Sequence, residues 1–299
     1  MTLQQLKYVV TVAECGNITE AAKQLFVSQP TVTSAIHDLE KEMQIVIFIR
    51  TNKGVILSED GERFLGHARQ VLEQVDLIEG IYKDDVVSKP HFAVSCQHYS
   101  FAVNAFVDVI RRFDAYQYDF TIREEQTHEI IEDVTNLKSE LGVIYLSSKN
   151  TEVLSKMLKR NELEFTELFT ATPHVFICDS HPLASKNSIT MDDLQDYPYL
   201  TYEQGEYNSQ YFSEEFVSTL DSRKNIRVRD RATLFNLIIG LNGYTVCSGV
   251  ISAELNGRNI ISKPLDVDEY MRIGIISRKG VVLSRYAREY IEALKAHCM

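Results

Sequence analysis

The stretch SQPTVTSAIHDLE, residues 28–40, decides how the N-terminal region is interpreted. Ser28 is a good helix N-cap, and Pro30 suits the first turn, where its missing N–H would be unpaired anyway. Val32, Ile36 and Leu39 recur at helical spacing and are predicted to face inward. The opposite face then carries mostly short polar side chains: Gln29, Thr31, Thr33, Ser34 and His37.

Two further helices are predicted upstream of this stretch. Thr2 and Gln5 form a capping-box pattern, and Gly16 is a helix stop after the first apolar stripe. A second short helix is expected from Thr19, as N-cap, to about Leu25. Two helices joined by a short turn, the second with small polar side chains outward, are typical of a helix-turn-helix that enters the major groove of DNA. An ordinary helical bundle with a polar surface helix fits this pattern equally well.

The following residues favour DNA binding. The apolar run from Ile45 to Ile49 ends in Arg50, residues 51–54 have turn composition, and Val55 begins a returning strand. This predicts a small wing hairpin with Arg50 and Lys53 at its tip, where they can contact phosphates or a minor groove.

Together these residues resemble the LysR-type transcriptional regulators of bacteria. The matching positions are Ala21-Ala22, Leu25, Ser28-Gln29-Pro30, Ile36, Leu39-Glu40, Phe48, Arg50, Leu57-Ser58 and Gly61. The chain departs from the pattern at Met43-Gln44 (usually Leu-Gly), at Ile47 (Leu) and at Thr33 (Ser), and Gln44 is expected to alter the entry to the wing. The resemblance implies a winged helix-turn-helix over 1–58 that binds double-stranded DNA with an interrupted inverted repeat. The expected DNA-binding residues are Ser28, Gln29, Pro30, Thr31, Thr33, Ser34, His37, Arg50, Asn52 and Lys53.

A long helix capped by Ser58 is predicted next, within a linker over 59–89 whose hinge lies at residues 86–90. Its small or apolar residues fall at heptad spacing, which favours pairing with a second chain. A lone amphipathic helix packed on its own domain is the alternative, whereas the resemblance implies that the linker helices dimerise. The expected dimerisation residues are Phe64, Ala68, Val71, Val75 and Ile78.

From residue 90 onward, strands alternate with helices, which predicts an α/β domain with a parallel or mixed sheet. Helices are expected at 100–113, 127–138, 208–219, 233–241 and 283–296. The segments 181–184 and 240–244 extend the resemblance, which implies a two-lobed effector domain similar to type 2 periplasmic binding proteins. Lobe one is expected at 91–162 plus 268–299, and lobe two at 163–267.

Ligands of open α/β sheets bind beyond the carboxyl ends of strands. The segment from Ser95 to Ser100 is rich in hydrogen-bond donors and leads into a helix N-terminus, which favours a small anion or an amino acid. His98 and Tyr99 could equally pack or cap. The expected effector-binding residues are Ser95, Cys96, Gln97, His98, Tyr99, Ser100, Ser147, Thr201, Tyr202 and Arg231.

The composition excludes several classes of protein. The 299 residues carry a net charge of −11, unusual for a DNA-binding protein, but residues 21–37 and 45–57 contain no Asp or Glu. No catalytic or phosphate-loop motif is present, and no cofactor or metal site is expected. The carboxylate pairs Glu124-Glu125 and Asp192-Asp193 are expected to be solvated. No membrane span or leader is predicted, so a cytoplasmic protein is expected.

The resulting hypothesis is a LysR-type regulator that acts as a homodimer or homotetramer, with RNA polymerase as a further candidate partner. The alternative is a soluble solute-binding or enzyme-like α/β protein with an N-terminal dimerisation module. A third hypothesis is a thiol sensor based on Cys178 or Cys247.

Overall fold

The computed structural model describes residues 1–51, 54–82, 90–113, 117–205, 211–215, 223–251 and 258–298. The chain forms two compact units: the first comprises Met1–Pro90 and Asn136–Lys138, and the second His91–Thr135 and Ser139–Met299. None of the helices in these ranges is both long and apolar enough to cross a membrane.

Three helices build the core of the first unit: α1 (Leu3–Cys15), α2 (Ile18–Gln24) and α3 (Gln29–Met43). The capping box of Thr2 and Gln5 is present, and Gly16 ends α1 at φ 61°. Asn17, not Thr19, caps α2, because its side-chain oxygen accepts the N–H groups of residues 19 and 20. Ser28 caps α3 as predicted. The inward face of α3 is buried in the apolar core, at Val32, Ile36 and Leu39.

A two-stranded wing follows, with β1 (Phe48–Thr51) antiparallel to β2 (Gly54–Leu57). It begins later than the apolar run suggests, because Ile47 is fully buried in the helical core. The Glu40 carboxylate accepts the N–H groups of Ile47 and Phe48 at 2.7 and 3.1 Å, and so fixes the start of the wing. Gln44 adopts the left-handed conformation at φ 57° that a glycine would take. The entry to the wing is therefore formed despite this substitution.

The linker helix α4 spans Glu59–Tyr82. The Ser58 hydroxyl accepts the N–H of Gly61 at 2.9 Å, which is the predicted N-cap contact. Residues 83–89, with most of the predicted hinge, lie outside the described ranges.

The first lobe of the second unit contains a five-stranded sheet in the order β4-β3-β5-β12-β6. β3 is parallel to β4 and β5, while β12 is antiparallel to β5 and β6. Its strands are β3 (His91–Cys96), β4 (Asp119–Glu124), β5 (Leu141–Leu146), β6 (Leu163–Ala171) and β12 (Met271–Arg278). Its helices are α5 (Ser100–Phe113), α6 (Thr127–Thr135), α7 (Thr151–Arg160) and α9 (Arg285–Cys298).

The second lobe contains a three-stranded antiparallel sheet, β10-β7-β11, and a parallel pair, β8-β9. Its elements are β7 (His174–Cys178), β8 (Tyr199–Tyr202), β9 (Asn225–Val228), α8 (Arg231–Leu241), β10 (Thr245–Cys247) and β11 (Ile260–Pro264).

Three expectations need correction. β6 pairs with β12 along its length, so residues 163–171 belong to the first lobe rather than the second. Residues 211–215 are turn and bend, not the helix expected over 208–219, whose remaining residues are not described. α7 and β11 were not predicted at all.

Candidate functional site

In the first unit, the polar face of α3 and the wing line one groove. Gln29, Pro30, Thr33, Ser34 and His37 contribute from α3, and Arg50 from β1. Most of these side chains are exposed, and Arg50 supplies a positive charge. The groove therefore combines hydrogen-bonding groups with a cation, as contacts to bases and phosphates require.

The remaining predicted DNA-binding residues are placed differently. Ser28 and Thr31 do not line this groove, and their hydroxyls lie 2.7 Å apart next to the helix cap. Thr33 is half-buried rather than fully outward, because it lies toward the wing. Asn52 and Lys53 lie outside the described residues.

An exposed aromatic residue in the helix-turn-helix was not singled out from the sequence. Phe26 lies in the turn between α2 and α3 with φ 54°, and its side chain is 96% exposed. Its N–H donates to the Lys23 carbonyl at 3.1 Å, which closes the turn. Hydrophobicity alone predicts burial at this position, so no sequence signal marks it.

The predicted seam of α4 divides into two parts. Ala68 is buried in the single chain, and Phe64 is half-buried and packs against the apolar core of the first unit. Val71 and Ile78 are 41% and 58% exposed, and Val75 is half-buried. The most exposed part of the seam is therefore its C-terminal half.

In the second unit, a cavity lies between the two lobes. Five predicted effector residues line it: His98, Tyr99, Ser100, Tyr202 and Arg231. Ser248 also lines it, just beyond the end of β10, where the sequence analysis expects a ligand. The sequence analysis assigned no ligand role to the others that line it: Phe176, Glu214, Glu215, Phe235, Thr245, Val246, Cys247 and Val250.

The other five predicted effector residues do not line this cavity. Within β3, the Ser95 hydroxyl hydrogen-bonds to Asp133 at 2.8 Å, and Cys96 is buried in the apolar core. Gln97 is also buried, and its amide nitrogen donates to Thr127 at 2.7 Å. Ser147 and Thr201 lie elsewhere: the Ser147 hydroxyl accepts the Lys149 N–H, and Thr201 is half-buried in β8.

His98 connects the lobes at one side of the cavity. Its Nδ1 lies 2.8 Å from the Glu214 carboxylate, and its Nε2 lies 3.1 Å from the Arg229 carbonyl oxygen. Burial alone would lower the pKa of His98, but the adjacent Glu214 carboxylate outweighs burial and raises it. The arrangement therefore favours a charged imidazole paired with a buried carboxylate.

Arg231 makes a second pair between the lobes. Its guanidinium contacts Glu124, at the end of β4, at 2.9 Å. Burial raises the pKa of Glu124 more than the Arg231 charge lowers it. Glu124 is thus not the solvated carboxylate expected from the sequence. The carboxylate pair Asp192-Asp193 partly meets the expectation that it is solvated, since Asp193 contacts the exposed Lys186 at 2.5 Å.

Glu215 is a fully buried carboxyl group of the cavity. It accepts the Tyr202 N–H at 2.7 Å and the Ser213 hydroxyl at 2.9 Å. Burial, followed by the neighbouring Glu214 charge, raises the pKa of Glu215 to about 8. Glu214 and Glu215 fall in the segment predicted as a helix, and no sequence signal brings Glu214 to His98, 116 residues away.

All five cysteines are free, and burial raises the pKa of the Cys247 thiol well above its usual range. In the part of the chain that the structure describes, no group of three or more His, Cys, Asp or Glu side chains could hold a metal ion.

Two family profiles together span most of the sequence. The profile described as a bacterial regulatory helix-turn-helix protein of the lysR family matches residues 3–62, and the LysR substrate binding domain matches residues 95–299. The chain belongs to the LysR family of bacterial transcriptional regulators. As a LysR-type regulator it binds DNA and carries an effector-binding domain, and the enzyme-like alternative is wrong.

Known LysR-family proteins resemble the chain over much or nearly all of its length. It is 27% identical over 207 residues to the uncharacterized regulator YvbU of Bacillus subtilis, covering 69% of this chain and 67% of that protein. It is 22% identical over 302 residues to the dual regulator OxyR of Escherichia coli, covering 99% and 95%. The solved full-length OxyR of Pseudomonas aeruginosa matches with a TM-score of 0.65 at 22% identity, covering 99% and 98%, and this likeness shows the fold.

Proposed function

We propose that this LysR-type regulator binds, as a homodimer or homotetramer, double-stranded DNA with an interrupted inverted repeat. A small anion or amino acid that binds in the cavity between the lobes modulates its regulation of transcription. The protein acts in the cytoplasm, and RNA polymerase is a further partner of this regulator.

The groove of the first unit supports the DNA part of the proposal. Gln29 and Ser34 offer hydrogen-bonding groups on one exposed helix face, and Arg50 lies at the facing wing. A major groove admits one α-helix, and its base edges are read by such short polar groups. Arg50 supplies a salt-dependent contact to phosphate.

The exposed half of the α4 seam supports the assembly. Val71 and Ile78 are large apolar side chains on one face of a long helix, and both are substantially exposed in the single chain. Covering them with a second α4 removes this surface from water. A symmetric pair presents two α3 helices to two half-sites, which matches an inverted repeat.

The observation that carries the effector part is a pair of unpartnered polar atoms in the cavity. Arg231 Nη1 and Thr245 Oγ1 are buried, and neither has a hydrogen-bond partner among the described residues. Buried polar groups are nearly always hydrogen-bonded in folded proteins. A ligand that offers oxygen atoms satisfies both groups.

The same cavity speaks against the thiol-sensor hypothesis. Cys247 lines it, but its raised pKa keeps the sulfur protonated, and the thiolate is the reactive form. Cys178 is buried, and its thiol donates to Asn242 at 3.4 Å.

The full chain tests the proposal directly. Duplexes are selected from a random pool by binding to the protein, and the enriched sequence is then footprinted. We expect an interrupted inverted repeat with half-site centres separated by a whole number of helical turns, and one protein dimer or tetramer for each site. An enriched site without two-fold symmetry, or the absence of any enriched sequence, contradicts the proposal.

A further inference from the structure

The cavity holds hydrogen-bond donors that its own side chains leave unused. Thr245 is only 4% exposed, and its hydroxyl has no partner among the described residues. Arg231 uses its Nη2 on Glu124, while its Nη1 is buried without a hydrogen bond there. Both line the same space, next to the N-terminus of α5. A carboxylate is the group that best matches a guanidinium together with a hydroxyl.

The charges around the cavity do not favour a simple anion. His98 pairs with Glu214, and Arg231 pairs with Glu124, so two cations are already balanced by two carboxylates. Glu215 adds a third acidic group, and its raised pKa of about 8 keeps it neutral at pH 7. A simple anion would add negative charge near this third acidic group without bringing a cation to it, which is costly. A ligand that carries its own cation places that charge beside Glu215.

Glu215 is the acidic group of the cavity that can accept a further hydrogen bond from a ligand. Each of its two oxygens accepts one hydrogen bond, from Tyr202 and from Ser213. Glu214 is more fully occupied, because it accepts from the His98 ring, the His98 N–H and Gln204. A carboxylate offers about four acceptor sites, so Glu215 can take another donor.

The cavity lining also includes apolar side chains. Phe176, Phe235, Val246 and Val250 line it together with the polar groups. Their side chains suit a short hydrocarbon or thioether group and offer nothing to a second charged substituent.

We propose that the cavity binds an α-amino acid with an apolar side chain, as a zwitterion. Its carboxylate accepts hydrogen bonds from Arg231 and Thr245, its ammonium group donates to Glu215, and its side chain contacts Phe176 and Phe235. This inference rests on the proposed function and narrows its effector to one chemical class.

The mode of binding includes a proton. An ammonium group beside Glu215 favours the ionised carboxyl, so Glu215 releases its proton to solvent when the ligand binds. The titratable groups that interact electrostatically with Glu215 are Glu214, Tyr99, Tyr145, Tyr199 and Tyr202. The pKa values of these four tyrosines are all raised by burial, so the tyrosines stay neutral near pH 7 and Glu215 is the group that changes.

Calorimetric titration of the full chain at pH 7 tests the ligand class. The probes are the L-forms of alanine, valine, leucine, isoleucine, methionine and phenylalanine. For each amino acid that binds, the matched acid without the amino group and the matched amine without the carboxylate are also titrated. We expect at least one amino acid to bind, and both of its analogues to bind at least tenfold more weakly. Titration in phosphate and in Tris, which differ in ionisation enthalpy, should show up to one proton released per chain.

Three variants locate the site. Glu215→Gln should abolish the proton release and weaken binding at least tenfold, and Thr245→Val should weaken binding while keeping the proton release. Ser262→Ala is the matched control, because Ser262 also has a buried hydroxyl without a partner among the described residues but does not line the cavity. It should bind like the parent. Equal losses in Ser262→Ala and Thr245→Val overturn the assignment of Thr245.

Two outcomes reject the ligand class. One is a matched acid that binds as tightly as its amino acid and releases no proton. The other is a chain that binds none of the six amino acids. Selection and footprinting of DNA do not depend on these probes, so a chain that recognises its inverted repeat but gives either outcome loses this inference and keeps its DNA-binding function.

Discussion

The imidazole ring of His98 lies flat on the ring of Tyr202, with centroids 3.8 Å apart and planes inclined by 5°. His98 follows β3 of the first lobe, and Tyr202 ends β8 of the second. Because the same imidazole also pairs with Glu214 and lies 3.1 Å from the Arg229 carbonyl oxygen, one buried side chain connects the first lobe to three segments of the second. His98 therefore contributes to holding the two lobes together.

Replacing His98 with alanine should destabilise the second unit. The change removes the ring stack and leaves Glu214 as a buried carboxylate without its cation, so we expect a loss on the order of 3 kcal/mol. Urea unfolding of the full chain, followed by the transition of the second unit, measures this. His91→Ala is the control, because its ion pair with Asp119 is exposed and should contribute at most about 1 kcal/mol.

Basal DNA binding should be unchanged in His98→Ala and in His91→Ala, whereas the effector response should weaken in His98→Ala and also in Ser100→Ala. A parent-like response in both cavity variants would place the effector elsewhere.

Glu215 should make the stability of the second unit fall as pH rises. Its pKa is raised from 4.5 to about 8 in the folded chain, so between these values the folded state binds more protons than the unfolded state. The stabilising contribution is thus complete below about pH 4.5 and is lost as pH approaches 8, at up to about 1.4 kcal/mol per pH unit. Relative to Glu215→Gln, the parent should lose stability across this window in urea unfolding at a series of pH values.

The control for this pH effect is Glu152→Gln. Glu152 is exposed, and its hydrogen bond to Lys156 lowers rather than raises its pKa. The contribution of Glu152 to the free energy of unfolding should therefore be constant above pH 5. If the free energy of unfolding of the parent and of Glu215→Gln changes equally with pH across this whole window, Glu215 is ionised in the folded state.

The sequence predicts best those features that depend on neighbouring residues. The caps at Thr2, Ser28 and Ser58 are correct because each side chain bonds to a backbone group three residues away. The inward stripe of α3 is correct because helical period alone decides which side chains share a face.

The cavity is harder to predict because distant segments build it. Strand alternation turns Ser95 toward Asp133 of α6 and Cys96 into the core, and the sequence does not say which face a ligand would occupy. Glu214 reaches His98 from 116 residues away, through a loop whose composition suggested a helix. Such long-range pairs leave no periodic signal in one sequence.

Gln29→Ala should weaken binding to the selected DNA site by about 1–3 kcal/mol, the size of one good base contact. Gln29 is exposed at the first turn of α3 and lines the groove shared with the wing. Binding isotherms on the selected site and on scrambled DNA should show the loss on the selected site alone. Gln4→Ala, at an exposed position of α1 outside the groove, is the control. An equal loss on both DNAs would mean that Gln29 contacts only the backbone.

Arg50→Ala should weaken binding to every DNA sequence alike. Arg50 is an exposed cation of β1 and lines the groove on the wing side, where a phosphate contact releases counterions. The slope of log K against log salt concentration should decrease in magnitude by about 0.9 for each chain bound. Lys41→Ala removes an equal charge at an exposed position outside the groove and should leave the slope unchanged. An unchanged slope for Arg50→Ala would remove the wing from the DNA interface.

Val71→Asp should abolish assembly through α4. Val71 is 41% exposed in the single chain, so the substitution costs little in the monomer but buries an unpaired carboxylate for each chain in the paired state. Because Ala68 is buried and Phe64 is half-buried in the single chain, the most exposed part of the seam is short, and one charge should suffice to disrupt it. Sedimentation velocity should show a monomer, and affinity for the inverted repeat should fall toward that of a single half-site. Gln70→Asp introduces the same charge roughly 100° around the helix and should stay assembled. If Val71→Asp sediments as the parent does and keeps its DNA affinity, α4 is not the pairing surface.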